Sequence, residues 1–112
     1  MANFDYRYTT GPISVSENSN NVRILALNNG QREHQARVII YDLNPIPKTL
    51  LLDETFTIAP KSKNDIEFIT NFNYYEVQVQ TNSSMVYFWI AGRAGNENLV
   101  GNVFLHKDLI KI

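Results

Sequence analysis

Short runs of alternating apolar and polar residues, each ended by turn-forming residues, recur along the chain and constrain its fold more than any other feature. Residues 75–80 (YEVQVQ) show the alternation most clearly, and residues 22–27, 36–41 and 85–91 form further runs. Period-two alternation places apolar side chains on one face of an extended strand. No run shows the i, i+3, i+4, i+7 spacing of a capped amphipathic helix, so we expect little helix.

The number and spacing of these runs predict the fold class. About seven to nine short antiparallel strands, with turns every 8–12 residues or so, are typical of an all-β sandwich with jelly-roll or Ig-like connectivity. A chain of 112 residues is long enough for one such domain with its own core. Asn29-Gly30 predicts a hairpin turn, because both residues tolerate positive φ, and residues 92–96 predict a second hairpin.

Composition excludes several classes of function. The net charge is −1 and the ten Lys and Arg residues are scattered, so the basic stripe of a nucleic-acid binder is missing. The chain has no cysteine, which excludes disulfides and thiolate metal sites. No segment approaches the ~20 apolar residues of a membrane span. The first residues have neither the basic nor the apolar region of a secretory signal peptide, and none is expected.

Residue types that carry out chemistry are present, but not in catalytic or metal-binding patterns. The two histidines, His34 and His106, lie far apart in the sequence, without the close spacing of metal ligands. No serine lies in a G-x-S-x-G elbow. The carboxylates at 53–54 point to opposite faces of a strand, and those at 65–67 occupy solvated positions. We therefore predict no enzyme activity, no cofactor and no metal.

The N-terminal segment has an aromatic stripe. Phe4, Tyr6 and Tyr8 fall on one face of an extended chain, and such a stripe can fill a groove while its backbone adds to a sheet edge. Gly11 and Pro12 follow, one giving conformational freedom and the other fixing direction. We predict a connector arm on a hinge that docks into a neighbouring subunit. The alternative is that the segment is the domain's own first strand.

Several strands are apolar on both faces, although a lone antiparallel sandwich should be polar outside. In residues 85–91 one face can enter the core, which leaves Met85, Tyr87 and Trp89 outside. Exposed aromatic patches usually mark interfaces. The predicted subunit-interface residues, with those of the arm, are Phe4, Tyr6, Tyr8, Tyr41, Tyr87 and Trp89, and the doubled apolar faces also include Leu25, Leu27 and Ile39. Two alternatives stay open: loops cover these side chains, or Tyr87 and Trp89 form a stacking platform for carbohydrate.

The aromatic segment, the Gly11-Pro12 hinge, the sandwich body and the closing run 105–112 (LHKDLIKI) together resemble a known family. The chain is similar in layout to the small β-sandwich subunits of endospore appendages, the fibres on spores of Bacillus and relatives. The resemblance implies a connector and hinge over residues 1–12 and a body over residues 13–112, with the connector docked into the next subunit. The chain departs from the better-known members by lacking connector cysteines, so assembly would depend on strand addition and packing.

The hypothesis that follows is a structural, self-assembling subunit of a bacterial spore or cell-surface fibre. Its partners would be copies of itself and a spore-surface anchoring protein, and its place would be the extracellular spore surface. Synthesis in the mother cell that surrounds the spore would account for the missing signal peptide. The alternatives are a carbohydrate- or surface-binding sandwich module and a structural domain of a phage or virion.

Overall fold

The computed structural model describes residues 4–14, 20–69 and 73–112, without the side chains of residues 100 and 101. In this part of the chain ten β-strands and one 3₁₀ turn form two antiparallel sheets, which confirms the predicted all-β sandwich. No helix of these residues is long and apolar enough to cross a membrane. The strands are β1 (Tyr6–Thr9), β2 (Ile13–Ser14), β3 (Asn21–Asn28), β4 (His34–Asp42), β5 (Thr49–Ile58), β6 (Ser62–Ile69), β7 (Tyr74–Thr81), β8 (Val86–Ala94), β9 (Glu97–Phe104) and β10 (Ile110–Lys111), and the 3₁₀ turn is His106–Asp108.

The strand order separates the chain into a six-stranded and a four-stranded sheet. The six-stranded sheet runs β10-β1-β7-β4-β5, with β2 also beside β7, and the four-stranded sheet runs β6-β3-β8-β9. The core lies between them, where the period-two alternation turns every second side chain inward. Fully buried members of this core include Ile24, Val38, Ile40, Tyr75, Val77, Val79, Val86 and Ile90.

The predicted hairpin at Asn29-Gly30 is wrong. β3 and β4 belong to different sheets, so the chain crosses between the layers here. The buried Asn28 side chain explains the crossing, because its amide donates to the carbonyls of Arg32 (2.7 Å), Ile58 (3.0 Å) and Ala59 (3.3 Å). Its Oδ1 accepts from the Gly30 N–H (2.9 Å). A turn-forming asparagine thus joins two layers, whereas the sequence pattern indicated two adjacent strands.

The second predicted hairpin is confirmed. β8 and β9 pair antiparallel across a turn at Gly95, whose φ of +61° suits a residue without a Cβ. A bulge interrupts the pairing between Ala91 and Arg93. Gly92 at this bulge lies so close to its neighbours that an added Cβ would be 3.0 Å from Cβ of Asn102.

The N-terminal segment is the first strand of the six-stranded sheet. β1 lies between β7 and β10 and pairs with both in the same chain. Phe4, Tyr6 and Tyr8 are half-buried while the alternate residues Asp5 and Arg7 are exposed, so the predicted aromatic stripe faces inward. Tyr8 packs against the core. Residues 1–3 of the predicted connector lie outside the described residues.

The predicted hinge is held against β7. The pairing of β7 with β1 and then with β2 shifts by one residue at this point, so residues 10–12 form a bulge along one strand. The Thr10 N–H donates to the Val77 carbonyl (3.0 Å), and the Val77 N–H donates to Thr10 Oγ1 (3.1 Å). Gly11 has a φ of +69°, a backbone conformation that favours glycine, and Pro12 is exposed. Within one chain the hinge thus links two strand segments of one sheet.

Candidate interaction surface

The outer face of the four-stranded sheet carries a strip of apolar side chains. The register pairs Leu25 with Trp89 and Leu27 with Tyr87 across β3 and β8, and cross-strand partners share a face. Leu27 is 43% exposed and Tyr87 is 40% exposed. Their alternate neighbours point into the core. The doubled apolar faces predicted for β3 and β8 are therefore present, and the outer one is open.

A groove runs along this strip. Its volume is about 310 Å³, and carbon atoms form nearly all of its walls. Two further apolar residues are exposed. Met85 immediately precedes β8, and Val103 of β9 lies opposite Ala91 of β8. The residues that line the groove are Leu25, Leu27, Lys63, Tyr87, Phe88 and Trp89.

Charged residues on β6 border the strip. Lys63 pairs with Leu27 in the register, and the next residues on the same face are Asp65 and Glu67. Arg23 contacts both carboxylates, at 2.8 Å from Glu67 and 3.5 Å from Asp65. The hydrogen bond to Glu67 raises the pKa of Arg23 above its usual value, against a smaller opposing effect of burial. The apolar strip is thus bordered on one side by charges of both signs.

His106 links the strip to the N-terminal strand. Its ring contacts Tyr8 of β1 edge-on (centroids 4.8 Å apart) and Tyr87 of β8 edge-on (5.4 Å). Its Nδ1 accepts the N–H of Phe88 (3.2 Å). Partial burial lowers the pKa of His106, so the neutral ring is favoured. Two predicted interface residues from different sheets therefore share one neighbour.

The outer face of the six-stranded sheet differs, because polar interactions close it. Tyr41 lies there half-buried, with the Lys48 ammonium 4.3 Å from its ring centroid. The same ammonium donates to Glu76 (2.7 Å), which also accepts from Thr9 (2.5 Å) and Gln78 (3.1 Å). Burial raises the pKa of Glu76, but these hydrogen bonds and the Lys48 charge outweigh it and leave the pKa below its usual value.

Ile39 on this face is only 4% exposed, which corrects the expectation of an open apolar surface around Tyr41. Its cross-strand neighbours are Asp53 and Gln78. Asp53 accepts two hydrogen bonds from Arg37 (2.8 and 2.6 Å), which lower its pKa. Ile39, which the sequence pattern indicated to be exposed, is thus buried between strand residues of its own chain.

The predicted interface residues therefore separate into groups. Tyr87 and Trp89 lie together on the open face, and Tyr8 reaches Tyr87 through His106. Phe4 and Tyr6 lie half-buried at the start of β1, and Tyr41 lies on the opposite outer face. Lys63 was not predicted as part of the surface, because only the β3–β6 register places it beside Leu27.

The groove is an apolar contact surface, and its lining residues include one charged side chain, Lys63. Among residues 4–14, 20–69 and 73–112, no three His, Cys, Asp or Glu side chains cluster as metal ligands would. The groove provides dispersion contacts and apolar area, with a lysine at its border. Such a surface suits a partner that covers it with apolar side chains of its own.

Comparison with known proteins supports the fold and gives no information about the function. No protein-family model and no curated protein matches the sequence. The Anabaena sensory rhodopsin transducer is similar in structure, with a TM-score of 0.56 and 8% identity over 81% of this chain and 99% of the other. Thermotoga maritima protein 1070 has a TM-score of 0.60 and 9% identity, over 98% of this chain and 92% of the other. At such identities the likeness concerns the sandwich fold alone.

Proposed function

We propose that this chain is a non-catalytic structural subunit that associates with copies of itself. The open apolar strip of Leu25, Leu27, Tyr87 and Trp89 on the four-stranded sheet carries this proposal. Monomeric proteins rarely leave a contiguous apolar surface with aromatic residues uncovered, and aromatic side chains are enriched at interface centres. The strip lies on β3 and β8, which pair with each other over eight residues, so its side chains are already arranged on one face.

A second copy fits the strip because one face supplies both a hollow and side chains able to fill it. The groove lies between β3 and β8, and Met85, 40% exposed, immediately precedes β8, two residues before Tyr87. In a two-fold contact the same patch is used twice, so a projection of each copy can enter the hollow of the other. Methionine suits that role, because its unbranched side chain adapts to irregular hollows.

The test is the mass of the protein in solution over a range of concentrations. Light scattering or sedimentation should show association of the wild type that dilution reverses. Leu27→Lys places a charge in the strip and should weaken association by about 2 kcal/mol, roughly 30-fold, as expected for a buried apolar anchor. Thr57→Lys, at an exposed position of β5 on the other sheet, is the matched control and should associate as the wild type does. Equal association of the two variants would refute this interface.

Carbohydrate binding is the second candidate, and one observation favours it. Tyr87 and Trp89 lie two residues apart on the same face of β8, so their rings follow one another along the strand. The carbon-rich groove offers few hydrogen-bond partners for hydroxyl groups, which favours the protein partner. Trp89 is the only tryptophan, so a fluorescence titration with polysaccharides reports on this site directly. If polysaccharide changes the Trp89 fluorescence of Leu27→Lys saturably and with the affinity of the wild type, carbohydrate binding is favoured over the protein partner.

The narrower hypothesis of a spore or cell-surface fibre rests on the resemblance in layout. Docking of the N-terminal arm into a neighbour would require β1 to leave both β7 and β10 and to pair with the same strands of another copy. Deletion of residues 1–8 tests that mode separately. If assembly proceeds by strand exchange, the shortened chain is monomeric and regains assembly only with the full-length partner. If assembly uses the apolar strip, deletion leaves association intact wherever the chain still folds.

A further inference from the structure

The edge strand β6 has a charge pattern that is complementary to itself. β6 pairs with β3 on one side, and no strand of the described residues pairs with its other side. Its outward side chains run from Lys63 through Asp65 to Glu67, and Lys61 immediately precedes the strand. Positive charge therefore occupies the start and negative charge the end, with Asn64 near the change of sign.

We infer that β6 pairs antiparallel with β6 of a second copy around a two-fold axis at Asn64. In this register Asn64 opposes its own equivalent, and Lys63 of each copy opposes Asp65 of the other. Directly opposed side chains on one face of an antiparallel pair interact, and opposite charges stabilise the pair. In the single chain the Asp65 N–H donates to Asn64 Oδ1 (3.0 Å), and in the pair it would donate to the backbone of the other copy instead. The two four-stranded sheets then become one continuous sheet.

The other edge strands do not have this pattern. β5 contains Asp53 and Glu54 but no basic residue, and Lys48, which immediately precedes it, is already paired with Glu76 of its own chain. β9 contains Glu97 as its one charged residue, and β10 contains Lys111 as its one charged residue. Self-pairing of β5 near its acidic residues brings like charges together. Charged residues on an edge usually block pairing with other chains. In β6 the order of the charges instead blocks most registers and favours one partner, another copy of this strand.

The edge contact adds to the proposed function without depending on it. It lies at the rim of the four-stranded sheet, whereas the apolar strip lies on its outer face, so one copy can use both. Each two-fold contact alone closes a dimer. Two different two-fold contacts on one subunit propagate from copy to copy and can build a fibre. That consequence rests on the proposed function, while the edge pairing itself does not.

A cysteine at the two-fold axis tests the contact directly, because the chain has no cysteine of its own. Directly opposed residues have Cα atoms about 4.5–5.5 Å apart, within the range of roughly 4.4–6.8 Å that a disulfide spans. Asn64→Cys should therefore form a disulfide-linked dimer under mild oxidation. Thr57→Cys, on edge strand β5, is the matched control for random collision and should form several-fold less.

The charge order supplies the second arm of the test. In the Asn64→Cys background, Lys63→Asp alone and Asp65→Lys alone should each reduce cross-linking towards the level of the control, since each opposes like charges. A mixture of the two variants restores both opposite-charge pairs and should restore the dimer. Circular dichroism establishes that each variant is folded, which matters because Asp65→Lys also loses the contact with Arg23.

The failure of this inference is distinguishable from failure of the proposed function. Tyr87→Lys also places a charge in the apolar strip, but on β8, one strand further from Lys63 than Leu27 is. Combined with Asn64→Cys it should still cross-link, even where light scattering shows that the apolar strip no longer associates. Equal cross-linking at positions 64 and 57, or no recovery in the mixture, overturns the edge pairing and leaves the result for Leu27→Lys standing.

Discussion

Asn28 connects the two sheets where the chain crosses between them, and replacing it with alanine tests that role. Its side chain is fully buried and takes part in four hydrogen bonds, of which those with the Ile58 carbonyl and the Gly30 N–H are the most buried. A buried polar group that loses its partner costs about 1–3 kcal/mol. Two such losses lower the free energy of unfolding by about 2–6 kcal/mol in Asn28→Ala.

The assay is urea unfolding followed by the fluorescence of Trp89, with circular dichroism as a second probe. For a domain near this size, such a loss corresponds to a fall in Tm of roughly 10 °C or more. Asn29→Ala is the matched control, because Asn29 is exposed and its contacts with Met85 and Lys61 use only its backbone. A change below about 1 kcal/mol in Asn28→Ala, or an equal change in both variants, would refute the reasoning.

Two further predictions concern stability. Gly92→Ala should lower the free energy of unfolding by about 1–3 kcal/mol, because the new Cβ would lie 3.0 Å from Cβ of Asn102 and 3.3 Å from Oη of Tyr75. The midpoint of urea unfolding measures this change, and an unchanged midpoint would contradict the prediction. Burial lowers the pKa of His106 in the folded chain, so the unfolded chain binds the proton more readily and stability should fall as pH drops below about 6.5. Above that pH the contribution is complete, and His106→Gln should flatten the slope of stability against pH.

The sandwich could be predicted from the sequence because burial along each strand follows the alternation of its own residues. Val77 and Val79 of β7, and Phe88 and Ile90 of β8, are buried as the period-two pattern requires. The same reasoning assigned Tyr87 to the outer face of β8, where it is 40% exposed. Local patterns determine which way a side chain points, since the direction depends only on neighbours in the strand.

Strand order could not be predicted in the same way, because it depends on which strands meet across the layers. Asn29-Gly30 has the composition of a tight hairpin, yet Asn28 directs its side chain to Ile58, thirty residues later, and the chain changes sheet. The N-terminal stripe posed a similar problem. An aromatic face on Tyr6 and Tyr8 suits an arm that leaves the body and also a strand that belongs to it, and only the pairing with β7 distinguishes the two within one chain.

The candidate surface shows why exposure is harder to predict than direction. Tyr41 and Tyr87 have the same signature, an aromatic residue on the outer face of a strand that is apolar on both sides. Lys48, in the segment that follows β4, lies over the Tyr41 ring, and its ammonium group donates a hydrogen bond to Glu76. A ring covered by a cation of its own chain has one face fewer to offer a partner, and the hydrogen bonds around Glu76 would have to break to uncover it. The Tyr87 ring lines the groove and is 40% exposed, and Leu27 beside it is equally open. Association through the four-stranded sheet would therefore require no rearrangement, whereas association through Tyr41 would, and this difference is the physical reason to place the proposed interface at Tyr87 and Trp89.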